Sequence, residues 1–191
     1  MSPRKRASEE LTKEMILHTA RKQIVNKGYQ HVSMRSIASE LGCSHGALYY
    51  HMKNKAELFY SIVEADFNRL NRLIEGIVYE ESDNQDQLLS LFLTFIQFGL
   101  NHQSEYEVMF MTRNEEVDSL THQSAHLCYQ TFAKAVHRLA KRRVTLQNVY
   151  SAFVALHGYI SHQLGYVNEF IEVEEAARSY ALFVLRGLLD D

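Results

Sequence analysis

Tryptophan is absent, proline occurs once, at Pro3, and glycine only eight times in 191 residues. With no proline beyond position 3, long uninterrupted helices are permitted almost everywhere. The two cysteines, Cys43 and Cys128, lie far apart and form no CxxC pair, which suits a reducing cytoplasm rather than a disulfide framework. No apolar run approaches ~20 residues, so no membrane span is expected. The opening MSPRKRASEE has no apolar stretch of the kind a secretory signal needs. Catalytic patterns are missing too: no glycine-rich phosphate loop, no HExxH and no recognisable pair of carboxylates. Neither an enzyme nor a cofactor is expected.

What is present is apolar residue at helical spacing, amounting to 46% of the chain. Leu11, Met15, Ile16, Ala20, Ile24 and Val25 predict a first helix, capped by Ser8 and stopped by Gly28. Ser33 caps a short second helix that ends at Gly42, and Ser44 caps a third that runs to about Tyr50. Asn54, with Glu57 three residues on, opens a fourth helix that stays periodic to about residue 78. After the polar break Glu80–Asp86, helical patterns cover about 86–102, 104–112, 118–142, 145–168 and 173–189. No period-2 run appears. The expected fold is all-α: a three-helix domain over 1–53, and a helical domain over 54–191 joined to it through the fourth helix. Charge divides the same way. Residues 1–55 hold ten Lys/Arg against four Asp/Glu, and the remainder ten against nineteen. A basic head on an acidic body suits a polyanionic partner.

Two short helices joined by Leu41-Gly42-Cys43-Ser44 read as a helix-turn-helix. Ile37, Ala38, Leu41 and Leu48 can hold the pair together, which leaves His45, Gly46, Ala47, Tyr49 and His51 on the outer side of the third helix. That surface suits a DNA major groove. Small residues at its start allow close approach to base edges, and His45 and Ala47 can meet them. Tyr49, His51 and Lys55 can reach phosphates, as can the Ser33 cap, while Arg35 is long enough to reach a guanine edge. Ser44 and Tyr50 complete the candidate set, with Tyr50 expected to pack partly on the first helix. A helical corner without DNA is the alternative reading of periodicity alone.

The stretch KGYQHVSMRSIASELGCSHGALYYHMKNKAEL resembles the DNA-binding domain of the TetR family of bacterial regulators. The resemblance rests on Gly28-Tyr29, Ser33-Met34-Arg35, Ile37-Ala38, Gly42, Gly46-x-x-Tyr49 and Lys55-x-x-Leu58. Met52 departs from the usual phenylalanine, a tolerant packing exchange. The resemblance implies that Ser33, Arg35, His45, Gly46, Ala47, Tyr49, His51 and Lys55 face DNA. It also implies a homodimer and repression relieved by a small-molecule effector bound in the C-terminal domain. A transcriptional activator, or a helical ligand-binding or protein-interaction module without DNA activity, are the alternatives.

In the body, Val154, Gly158, Ser161 and Gly165 form a ridge of small residues, and Ala177, Ala181, Val184 and Leu188 a second row. Both are candidates for a dimer seam. Phe98, His102, Met109, Tyr129, Phe153 and His157 are candidates for an effector pocket of mostly apolar or aromatic preference, with Gly99 leaving room beside Phe98. His122 and His126 have metal-ligand spacing but no third ligand nearby, so no metal site is expected.

Overall fold

The computed structural model describes residues 11–78, 84–112, 115–140 and 144–189. Among them the fold is all-α: α1 (Lys13–Lys27), α2 (Met34–Glu40), α3 (His45–His51), α4 (Lys55–Val78), α5 (Asn84–Asn101), α6 (Gln103–Phe110), α7 (Asp118–Leu139), α8 (Leu146–Gln163) and α9 (Glu174–Leu189). Short 3-10 turns at Tyr29–His31 and Phe170–Val173 precede α2 and α9. No described helix is long and apolar enough to cross a membrane.

The first helices start where side-chain caps satisfy the orphan N–H groups. Thr12 caps α1, its hydroxyl accepting from the Met15 amide at 3.2 Å; the expected cap Ser8 lies outside the described residues. Ser33 and Ser36 exchange reciprocal bonds at the start of α2, a capping box with serine in the place of the usual glutamate. Ser44 caps α3 by accepting from the Ala47 amide. Asn54 accepts from the Glu57 amide at 2.7 Å, and the Glu57 carboxylate accepts from the Lys53 amide.

α4 is the spine. Leu58, Phe59, Ile62, Val63, Phe67, Leu70, Ile74 and Ile77 are all buried, against α1 at its start and α5, α6 and α7 further along. One hydrophobic core runs from Ile16 through this helix to Leu188.

Three expectations need correction. α8 ends at Gln163 rather than near 168, because Gly165 takes φ +77° and turns the chain. Gly165 therefore lies beyond the helix that carries Val154, Gly158 and Ser161. The α9 row faces inward: Ala177, Ala181, Val184 and Leu188 are buried by their own chain, where small side chains let α9 settle on α5 and α8. Finally, Gly99 leaves no vacancy. A Cβ there would lie 2.6 Å from Cγ2 of Ile160, so the glycine admits close contact between α5 and α8.

Candidate nucleic-acid interface

The turn between α2 and α3 is closed by backbone bonds. Gly42, at φ +64°, donates to the Ser39 carbonyl at 3.2 Å, and Cys43 donates to the Ala38 carbonyl at 3.0 Å. This is the left-handed exit that glycine makes without strain. Ile37, Ala38 and Leu48 are buried and lock the two helices at a fixed angle.

The other side of α3 is open. Ser44, His45 and Gly46 are exposed, Ala47 and His51 half-buried, and Tyr49 is 42% and Tyr50 88% exposed. Tyr50 therefore does not pack on α1, contrary to expectation; it projects outward with its ring edge against His51 at 5.4 Å. His45 and Tyr49 lie side by side at 4.6 Å between centroids. A Cβ on Gly46 would meet nothing closer than the Ser44 hydroxyl at 4.0 Å, so the fold does not require glycine there. What its absence of side chain provides is access to the helix backbone from outside. Ser33 and Arg35, on the first turn of α2, are exposed as well.

Lys55 is less free than the sequence suggests. Its Nζ donates to the Tyr29 carbonyl at 3.1 Å and sits 4.0 Å over that residue's ring. Tyr29 in turn sets its edge on Phe59 at 5.0 Å. Lys55 thus clamps the start of α4 to the turn after α1. Sequence reasoning also missed Gln23, which is buried on α1. Its amide donates to the Ser36 carbonyl and the Glu40 carboxylate, and its oxygen accepts from the Ser36 hydroxyl. The available signal was a glutamine on the apolar face of α1.

Residues 16–62 match the family described as bacterial regulatory proteins, tetR family. The match takes in α2, the turn and α3, with most of α1 and the start of α4. Among curated proteins, it is 29% identical over 101 residues to an HTH-type transcriptional regulator of Staphylococcus aureus strain MRSA252, covering 53% of this chain and 54% of that one. It is 32% identical over 107 residues to another from strain USA300, covering 56% and 45%. The chain thus matches about half the length of these relatives. Among solved structures, the fatty acid degradation regulator FadR from Bacillus halodurans superposes with TM-score 0.78 at 14% identity, over 98% of this chain and all of that one. A TetR/AcrR-family regulator from Aquifex aeolicus gives 0.74 at 19%, over 90% and 98%. These likenesses establish the fold across the whole described length. The matched family and both curated relatives are described as regulators.

Behind the tetR domain, the six candidate pocket residues fall into separate contact groups. Tyr129, Phe153 and His157 belong to a chain of touching rings: Tyr129 on Phe153, Phe153 on Phe95, Phe95 on Tyr106, Tyr106 on His157. The Tyr106 hydroxyl and His157 Nδ1 share a 2.5 Å hydrogen bond inside it. Met109 is fully buried on α6. Phe98 and His102 form a separate pair at the end of α5. Burial lowers the His102 imidazole pKa, helped by Arg69 and Arg21 and opposed by Glu105, so this ring faces the junction with the tetR domain. A cavity of about 590 Å³ opens at that junction, between the end of α1 and α6, lined by Tyr29, His31, Glu107 and Met111 among others. A second, of about 160 Å³, lies between α4 and α7 beside Glu75, Lys134 and Arg138. None of the six candidates lines either one.

Proposed function

We propose that the chain is a cytoplasmic, homodimeric transcriptional repressor that binds a palindromic operator and is released by a small, mostly apolar or aromatic ligand. The observation that carries the DNA reading is the outer face of α3. A tyrosine 88% exposed stands beside a glycine that the fold does not need, on a helix anchored from behind by Leu48. Residues 1–53 form the DNA-binding unit in this reading, and 54–191 the effector and dimer unit. Ser33, Arg35, Ser44, His45, Gly46, Ala47, Tyr49, Tyr50 and His51 face the groove. Lys55 contributes through its hold on Tyr29, and a phosphate at this point would compete with that carbonyl for the ammonium.

Dimerisation through α8 and α9 is supported by apolar and small residues the chain leaves uncovered. Val154 and Gly158 are exposed on α8, Phe183 is 72% exposed on α9, and a Cβ on Gly158 would meet nothing within 4 Å. Ligand binding is supported by the ring chain around Tyr106 and His157, which offers one polar pair among apolar faces.

Selection of random duplexes by the full chain tests the reading. An inverted repeat should emerge, because a twofold dimer presents α3 twice. Recovery of sequences with no inverted symmetry, or of none at all, would sink it.

A further inference from the structure

Among the described residues one charged side chain is buried, and it joins the first helix of the tetR domain to the spine. Asp66 of α4 is 7% exposed and its partner, Arg21 of α1, 18%. Arg21 Nη2 donates to Oδ1 at 2.5 Å and Nε donates to Oδ2 at 3.2 Å. Two donors on two oxygens define a direction as well as a distance, which a single contact or an apolar patch does not.

The same helix carries a second polar anchor. Two residues along α1 and on another side of the helix, Gln23 holds Ser36 through two hydrogen bonds, at 2.7 and 3.1 Å. Ser36 is the residue that completes the cap of α2 with Ser33. α1 is thus held by polar contacts on two sides, to α4 through Arg21 and to the start of the helix-turn-helix through Gln23. A buried ion pair is a poor source of stability, since desolvation offsets most of the attraction, and apolar pairs of equal size often serve the fold as well. Its particular property is direction: the paired bonds fix how α1 lies on α4.

We propose that Arg21 and Asp66 are positioning residues for DNA binding: together they set the angle at which the helix-turn-helix is carried on α4. The inference rests on the regulator reading above. The charged groups acting on Asp66 are Arg21 from α1, Arg69 from α4 itself and Glu105 from α6. Arg21 and Glu105 also line a common cavity of about 230 Å³ with His18 and Lys22. Burial raises the Asp66 carboxyl to about 6 against the pull of Arg21, so the pair loses its anion under mild acid.

The test uses the full chain and the double variant Arg21→Met/Asp66→Leu, which replaces the pair by apolar side chains. Its melting temperature is expected to equal or exceed that of the parent, while its affinity for a duplex selected by the parent falls tenfold or more. Parental affinity in the folded double variant would overturn the proposal. A second arm needs no DNA. Spin labels on Ser39→Cys and Arg72→Cys, in a Cys43→Ser background diluted with unlabelled chain, report the distance between α2 and α4. A narrow distribution at neutral pH should broaden or shift in the double variant. It should also broaden on acidification of the chain that keeps the pair, and not on acidification of the double variant. A distribution identical in the two chains at neutral pH overturns the proposal even if no duplex is ever selected. Failure to select a duplex, with the distance change present, overturns the regulator reading alone.

Discussion

Asp66 shows how burial and partnership act in opposite directions on one carboxyl. Desolvation outweighs the pull of Arg21, and the net pKa rises from 3.8 to about 6. The folded state therefore holds the proton more tightly than the unfolded chain does. Asp66's contribution to stability is fully present below about pH 4 and is lost as pH rises through about 6, by up to ~3 kcal/mol. Asp66→Asn should flatten that limb of the stability curve, as read by denaturant titration at several pH values. Gly99 offers a steric counterpart. Gly99→Ala places a methyl inside the radius of Ile160 and should cost about 1–3 kcal/mol of unfolding free energy. In an Ile160→Ala background the same change should cost close to nothing, since the three atoms it meets are gone. Equal costs in the two backgrounds would mean that α5 and α8 do not meet there.

At the scale of the element, α3 divides its work between opposite faces. Leu48 is fully buried and Tyr50 almost wholly exposed, two residues apart. Leu48→Ala should destabilise the chain by about 2–5 kcal/mol. Tyr50→Ala should leave stability within ~0.5 kcal/mol and weaken DNA binding, measured by fluorescence anisotropy on a selected duplex. The starts of α2 to α4 were legible because each has a capping side chain, and Gly28 and Gly42 stop α1 and α2; the start of α1 was set at Ser8, and Thr12 caps it instead. The end of α8 was not legible: Leu164 and Val167 continue the apolar spacing past Gly165, and only the backbone angle reveals the turn. In α9, Ala181 and Phe183 are both compatible with a seam, and periodicity does not say which face the chain covers for itself. The pairing of rings in the body was not legible for a related reason. Tyr106 and His157 are 51 residues apart, and a hydrogen bond between helices leaves no trace in the spacing along either. The face of α3 was legible because its chemistry lies within one short helix.

For the whole molecule, the uncovered apolar surface is the feature that asks for a second copy. Phe183→Glu would set a charge in the centre of the proposed seam, and Gly158→Leu would hold the two α8 helices apart. Sedimentation at micromolar concentration should show a dimer for the parent chain and a shift toward monomer for both variants. A parent chain that sediments as a monomer would remove the seam. DNA affinity should fall with dimerisation even though neither residue lies near α3, because half-site recognition doubles only when the copies are joined.

α4 spans 24 residues in one uninterrupted helix, about 36 Å from end to end. A rod of that length magnifies rotation into displacement. Pivoting by about 5° around its C-terminal end carries the other end through about 3 Å. Successive base pairs are stacked about 3.4 Å apart. In the proposed dimer, a pivot of that size would put each α3 out of register with its half-site by nearly one whole step of the duplex.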